Sequence, residues 1–221
     1  MSVSMSVNFE QARFAMVEQQ VRPWDVLDPR VLEVLHMLKR EDFVGAEHRN
    51  LAYTDIALPL AHHEVMMKPV LEGRLLQALD LNSQDDVLEI GTGSGFITAC
   101  LSHLAREVVS LDIHADFIEH AKQKFLSSGL RNIRLECADA MAWQNDRRFD
   151  AIAITAAVTT IPEIFGQWLK PNGRMFIIRG YSPAQQALRV THRGESLHEE
   201  SLFETDVPYL RGAEPVPSFT L

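Results

Sequence analysis

Between Val87 and Leu104 an apolar run, a glycine-rich turn and a second apolar run follow one another without a break. They read Val87-Leu88-Glu89-Ile90, then Gly91-Thr92-Gly93-Ser94-Gly95, then Phe96-Ile97 onward through Cys100, Leu101 and Leu104. The first segment has the length and boundary of a strand, and the last has the apolar spacing of a helix. Glycines at alternate positions let the chain turn sharply and leave room where a Cβ would intrude. A strand that feeds straight into a helix in this way is half of a βαβ unit. That unit commits its neighbours to a parallel sheet with right-handed helical crossovers.

The segments beyond Asp85 fit that commitment. Val108-Val109-Ser110-Leu111, Ile133-Arg134-Leu135, Asp150–Thr155 and Met175–Ile178 read as strands. A helix from about Asp116 to Leu126 ends on Ser127-Ser128-Gly129, with glycine at its C-terminal cap. Ile161–Leu169 reads as a helix and Pro171-Asn172-Gly173 as a turn. Ahead of the sheet, residues 8–80 read as helical. Phe9, Ala12, Phe14, Met16, Val17 and Val21 mark one amphipathic helix. Asp28-Pro29 and Pro69 start two more, and Asn50–Lys68 reads as an ordered loop. In the tail, Leu188-Arg189-Val190 and Ser201-Leu202-Phe203 flank a turn at His192-Arg193-Gly194-Glu195 and imply β-structure. The expected fold is α/β and Rossmann-like: a mostly parallel sheet with N-terminal helices and a β-rich C-terminal tail. One domain is expected over 1–221, with a helical cap region (8–80), a ligand-binding core (81–185) and a β region (186–221).

Composition narrows the function classes. At 221 residues with 46% hydrophobic content, the chain can bury a full core as one domain. A net charge of −9 and the lack of a basic stripe argue against a nucleic-acid partner, which needs cations against phosphates. No apolar stretch is long enough for a membrane span. Met1-Ser2-Val3-Ser4-Met5-Ser6 has neither the basic start nor the apolar run of a signal peptide. Cys100 and Cys137 lie in apolar contexts outside any CxxC or Cys/His spacing. They read as buried, reduced thiols in a cytoplasmic protein. Trp24, Trp143 and Trp168 read as packing residues.

The glycine loop itself discriminates between ligands. A dinucleotide fingerprint needs a third Gly or Ala where this chain has Phe96. Glu89, two residues before the first glycine, would repel a pyrophosphate. It suits a ligand with an ammonium group, such as the methionine end of S-adenosylmethionine. Asp112 closes the second strand about 20 residues beyond the loop, the place of a ribose-binding acid. Asp139, in Cys137-Ala138-Asp139-Ala140, closes the third strand region, where a carboxylate can accept from an adenine amino group. Any one of these acids fits a helix cap or a loop; at three consecutive strand ends they describe one site. The expected cofactor-binding set is Glu89, Gly91, Thr92, Gly93, Gly95, Asp112, Asp139 and Ala140.

With these residues in view the sequence resembles the protein-L-isoaspartate O-methyltransferases over about positions 8–180. The carrying segments are Met16-Val17-Glu18-Gln19-Gln20-Val21-Arg22, Arg40-Glu41-Asp42-Phe43-Val44, Ala52-Tyr53-Thr54-Asp55, Leu58-Pro59-Leu60, Val87–Gly95 and Thr155-Ala156-Ala157. The resemblance implies a Rossmann-like S-adenosylmethionine-dependent methyltransferase fold, with S-adenosyl-L-homocysteine as product. It implies a cytosolic enzyme, a monomer or small homo-oligomer, that methylates the free α-carboxyl of L-isoaspartyl residues in damaged proteins. A protein or peptide substrate follows, with neither nucleic acid nor membrane as partner.

One stretch departs from the family pattern. Where the family reads Gly-x-Gly-Gln-Thr-Ile-Ser-Gln-Pro, this chain has Ala61-His62-His63-Glu64-Val65-Met66-Met67-Lys68-Pro69. The family's active-site serine falls at Met67 and its threonine at Val65, so the catalytic residue is left unassigned. His62, His63, Val65, Met66 and Met67 are the candidates for the substrate region. A histidine here would serve as a general base if the acceptor were a hydroxyl or amine. No metal is expected, because adjacent histidines point apart and no third ligand has a recognisable spacing. Lys68 reads as a solvent-facing residue at a helix start. A carboxylate acceptor, already ionised at neutral pH, needs no base. Other readings are a divergent methyltransferase with another acceptor, or an S-adenosylmethionine-binding protein without catalysis. A nicotinamide dehydrogenase is disfavoured by Phe96 and Glu89.

Overall fold

Strand follows helix along the chain as the glycine turn requires. A computed structural model of the protein describes residues 7–194 and 196–216, so the signal-peptide question at Met1–Ser6 and the turn residue Glu195 lie outside the described residues. Helix α1 (Phe9–Ala15) starts at Asn8, whose Oδ1 accepts from the Gln11 amide at 3.2 Å. The single helix expected through Val21 instead widens into π-type turns over Met16–Val21. Bonding from i to i+5 brings residues five apart onto one face, and Met16, Val17 and Val21 are all fully buried. Helix α2 (Pro29–Met37) is capped by Asp28, which accepts from the Arg30 amide at 2.9 Å.

The segment expected as a loop carries more structure than its sequence signals. A 3-10 turn at Ala46–Leu51 leads to a small antiparallel hairpin, β1 (Leu58–Pro59) with β2 (Val65–Met66). Strands of two residues leave no periodicity to read. Helix α3 (Pro69–Leu79) then starts at Pro69 as expected.

The sheet comprises β3 (Asp86–Ile90), β4 (Glu107–Asp112), β5 (Ile133–Cys137), β6 (Phe149–Val158), β7 (Leu169–Arg179), β8 (Gln185–Arg193) and β9 (Ser196–Thr205). Helices α4 (Phe96–Leu104), α5 (Ala115–Ser128) and α6 (Glu163–Gln167) connect the parallel strands. The spatial order is β5-β4-β3-β6-β7-β8-β9, parallel from β5 to β7 and antiparallel beyond. This is the Rossmann-like sheet expected. Every residue of β3 is buried, as a central strand covered on both faces demands. Side chains alternate between two cores. Val87, Ala151, Ala153 and Phe176 join the N-terminal helices, α3 and α4 on one face. Leu88, Ile152, Ile154 and Met175 join Phe165 and Trp168 on the other.

Four local expectations are corrected. Pro171-Asn172-Gly173 does not precede a strand but bulges within β7, which shifts register against β6 between Phe149 and Ala151. The helix expected over Ile161–Leu169 is only Glu163–Gln167, since Pro162 is extended and Leu169 already pairs with Phe149. Cys100 is buried but Cys137 is exposed, because it is the last residue of β5, the edge strand of the sheet. Trp24 is exposed rather than packed, whereas Trp143 and Trp168 meet edge to face at 5.1 Å. No helix of the described residues is long and apolar enough to cross a membrane.

One buried ion pair ties the N-terminal layer to the rest. The Arg40 guanidinium, wholly buried, donates to both carboxylate oxygens of Glu72 at 2.9 and 3.0 Å. Two further bonds go to the carbonyls of Ala52 and Met67, each at 2.5 Å, and it lies 5.5 Å from the centre of the Phe96 ring. Removing one member of such a pair strands the other charge. Arg40→Met is expected to lower the unfolding free energy by about 3–5 kcal/mol. Arg40→Met with Glu72→Leu should recover part of that loss, with the two carbonyls still undonated. Urea unfolding of both variants checks this; a double mutant as unstable as the single one would contradict it.

Candidate functional site

The strand order reverses at β3, whose neighbours β4 and β6 lead away in opposite directions. Open α/β sheets bind ligands in the crevice that this reversal leaves at the carboxyl ends of the strands. A cleft of about 910 Å³, counted out to the solvent at its mouth, opens there. Its floor is Gly91–Ser94, Asp112–His114 after β4, Ala138–Ala140 after β5, and Thr155 with Ala156 on β6. Leu60 and Glu64–Met67 of the hairpin form a second wall with Glu72, and Pro208–Arg211 of the tail a third.

The glycine loop needs its glycines for two different reasons. Gly91, with φ at 99°, sits in the left-handed region, and a Cβ on it would run into Thr155 Oγ1. That hydroxyl donates to the carbonyls of Ile90 and Gly91 at 3.1 and 2.9 Å, stapling the loop to β6. Thr155 reaches it because β6 slips register against β7 between Ala153 and Ala157; bulges re-aim side chains in this way. Gly95 does not line the cleft. It opens α4, and a Cβ there would lie 3.1 Å from Phe125 Cζ, so it sets the close approach of α4 to α5.

Glu89 lies one layer beneath the floor rather than in it. Its side chain is fully buried, and Oε2 accepts from the hydroxyls of Thr98 and Ser110, both at 2.5 Å. Ser110 Oγ in turn lies 2.6 Å from Thr92 Oγ1, which carries the network into the loop. Glu89 Oε1 has no partner. Burial pushes this carboxyl up to about 8, against the pull of the Ser110 and Thr98 hydroxyls.

Asp112 and Asp139 both face the cleft. Asp112 accepts from the amides of Gly93 and His114 at 2.8 and 2.9 Å, which fixes its carboxylate between the two strand tips. Burial raises its pKa, and those amides oppose the rise. Asp139 is exposed at the rim and accepts from the Met141 amide at 2.9 Å, with Ala140 buried beside it. Seven of the eight residues expected around the cofactor therefore gather at or just beneath one cleft floor, and Gly95 does not.

The substrate candidates divide. Val65, Met66 and Met67 line the cleft, whereas His62 and His63 do not. The histidine that lines the cleft is His114, on the floor beside Asp112, which no sequence spacing marked. His62 stacks on His114 with ring centres 3.9 Å apart and meets Asp116 at 2.9 Å. Here the fold brings two further potential ligands to His62, for His62, His114 and Asp116 place ligand atoms within 4.8 Å of one another. The two rings are tilted by only 4°. Their nitrogen lone pairs therefore run side by side instead of converging as a metal requires. Lys68 is half-buried at the start of α3 rather than free in solvent. Glu72, Thr155 and Pro208–Arg211 also line the cleft without having been singled out as site residues. They come from distant parts of the chain, and only Thr155 lay in a segment that carried the family resemblance.

Comparisons with known proteins agree with this geometry. The family model for protein-L-isoaspartate(D-aspartate) O-methyltransferase matches residues 11–210. The chain is 34% identical over 196 residues to a Syntrophus aciditrophicus protein named protein-L-isoaspartate O-methyltransferase, covering 88% of this chain and 90% of that one. A Methylorubrum extorquens protein of the same name is 35% identical over 212 residues, covering 93% and 92%. Among solved structures, a Plasmodium falciparum chain assigned to this enzyme class and crystallised with S-adenosyl-L-homocysteine superimposes with a TM-score of 0.77. It is 16% identical, with 93% of this chain and 99% of that chain covered, and so speaks for the fold.

The burial of Glu89 has a measurable consequence. The unfolded chain ionises this carboxyl near 4.5, while the free folded protein holds it neutral to about 8. The stability that it contributes is therefore complete below pH 4.5 and is lost as pH rises through about 8. Glu89→Gln keeps an acceptor for Thr98 and Ser110 but cannot ionise. In urea titrations of the free protein it should exceed the wild type in stability at pH 8, with the difference shrinking at pH 4. A variant no more stable than wild type at pH 8 would mean that Glu89 is ionised in the folded state.

Proposed function

The chain belongs to the protein-L-isoaspartate(D-aspartate) O-methyltransferase family, and from that premise we propose that it methylates the α-carboxylate of L-isoaspartyl residues in proteins or peptides, with S-adenosylmethionine as donor. The observation that carries the reading is the gathering of the glycine loop, Asp112 and Asp139 on the floor of one cleft. The backbone of Gly91, Thr92 and Gly93 lies against the methionine end. Asp112 takes the ribose hydroxyls, and Asp139 with Ala140 the adenine edge. Glu89, one layer below, holds the loop through Ser110 and Thr92.

The chemistry is an in-line displacement. A lone pair of the carboxylate oxygen forms the new O–C bond as the S–C bond breaks, and that pair stays on sulfur as a thioether. No proton moves, because the acceptor is ionised at neutral pH. The protein's contribution is orientation and exclusion of water, tasks suited to the buried Met66 and Met67. We take residues 1–221 as one unit, acting as a monomer or small homo-oligomer, with the cofactor held by 81–185 and the acceptor side built by 8–80 and the tail. The free thiols Cys100 and Cys137 support a cytoplasmic setting. A second reading, transfer to another acceptor, draws on one observation: Val65 and Met67 put apolar groups where the family pattern has hydroxyls.

Methyl transfer from radiolabelled S-adenosylmethionine to an L-isoaspartyl peptide, with the aspartyl peptide as control, separates the two. The repair reading requires base-labile label on the isoaspartyl peptide alone. If the wild type leaves it unlabelled and Met67→Ser labels it, the acceptor is another molecule.

A further inference from the structure

A carboxylate acceptor must be met by donors, and the apolar wall at Val65, Met66 and Met67 offers no side-chain donor. Two polar groups of the lining lie on the cofactor side: Ser94 Oγ, in the glycine loop, accepts from the Phe96 amide at 3.3 Å, and His114 follows β4 beside the ribose acid Asp112. The other lining hydroxyls are engaged. Thr92 is bonded to Ser110, Thr155 donates to the glycine loop, and Tyr209 Oη donates to the Gly180 carbonyl at 3.1 Å. Charge runs the wrong way as well, since Glu64, Glu72, Asp112 and Asp139 all border the cleft. Glu72 is answered by Arg40 from behind. Of the described lining residues, Arg211 is the only lysine or arginine.

The fold holds Arg211 at the end of the cleft where the methyl group is transferred. The acids for adenine and ribose follow β5 and β4, so the methionine end falls at β3 and β6. The tail docks on that same end of β6. The Ala157 amide donates to the Pro208 carbonyl at 2.9 Å, and the Leu210 amide to the Ala157 carbonyl at 2.7 Å. The Ala213 amide then closes a turn onto Leu210 at 2.9 Å. The backbone on both sides of Arg211 is thereby fixed. Its side chain is half-exposed and loosely engaged, with Nη2 3.4 Å from the His62 carbonyl and Nε 3.6 Å from Glu64 Oε1. A committed guanidinium–carboxylate pair is closer, about 2.7–2.9 Å. Arg211 also lies one residue past the span that the family model matches.

We propose that Arg211 is the substrate-binding cation of this chain, which receives the acceptor α-carboxylate in place of the hydroxyls absent at Val65 and Met67. This rests on the isoaspartyl reading above. The guanidinium holds one carboxylate oxygen and leaves the other free to attack the methyl group. In the free protein Glu64 occupies it weakly and is displaced by the substrate.

Steady-state kinetics with an L-isoaspartyl peptide test the assignment, alongside calorimetric binding of S-adenosyl-L-homocysteine. Arg211→Ala should raise the peptide KM by about tenfold or more, as loss of a charged hydrogen bond does, with cofactor affinity unchanged and Arg211→Lys between the two. Glu64→Gln should give a KM at or below that of the wild type. If Arg211 were only a strap to the hairpin, both variants would break the strap and raise KM together; that result, or an unchanged KM in Arg211→Ala, overturns the proposal. Should the wild type fail to methylate the peptide, the isoaspartyl reading falls, and peptide binding to the S-adenosyl-L-homocysteine complex decides Arg211 separately. Binding weakened tenfold or more by Arg211→Ala upholds its role. Equal binding, or none to the wild type, overturns it.

Discussion

The Arg40–Glu72 pair is the interaction on which the cleft depends. A guanidinium buried with full loss of solvent has to satisfy every donor inside the protein. Arg40 places four hydrogen bonds and its ring contact on four separate pieces of chain: Glu72 on α3, the Ala52 carbonyl, the Met67 carbonyl and the Phe96 ring at the start of α4. Two of these matter directly for the site. Glu72 and Met67 both line the cleft, so the same pair that anchors the N-terminal layer fixes the wall facing the acceptor. The hairpin is too short to hold itself in place, with only two residues in each strand. Its position is borrowed from the buried pair behind it.

The opposite wall is rigid for a different reason. Its residues come from the tips of adjacent parallel strands, whose register is fixed by the sheet. Gly91 and Thr92 both donate to the Leu111 carbonyl, so the loop after β3 is bonded to the tip of β4. The Thr98–Glu89–Ser110–Thr92 network runs underneath it, and Thr155 staples it from the β6 side. A floor of this kind is set before any ligand arrives, which lowers the cost of ordering on binding.

This difference explains what the sequence could and could not disclose. The floor is written in local order, because strand, glycine turn, helix and terminal acid recur with a spacing that a reader can follow. Glu89, Asp112 and Asp139 stand at consecutive strand ends for that reason. The other walls are assembled from pieces far apart in the chain. His114, on the floor two residues past Asp112, lines the cleft while its stacking partner His62, 52 positions earlier in sequence, stays outside. Arg211 arrives through a tail whose bonds to Ala157 leave no periodic signal. The π turns at Met16–Val21 and the bulge at Pro171–Gly173 were hidden likewise, since each is a local change of period within an element of otherwise ordinary pattern. The exposure of Cys137 followed from its strand lying at the sheet edge, a fact of topology and not of composition.

The cofactor floor and the rebuilt acceptor wall make a joint statement about where two molecules lie. A crystal structure of the protein with S-adenosyl-L-homocysteine and an L-isoaspartyl peptide tests it most directly. The expected complex has the ribose at Asp112, the thioether sulfur toward β6, and the peptide α-carboxylate between Met67 and Arg211 with one oxygen directed at the sulfur. A peptide seated away from Met67 and Arg211, or a nucleoside bound elsewhere than on the strand tips, would contradict it.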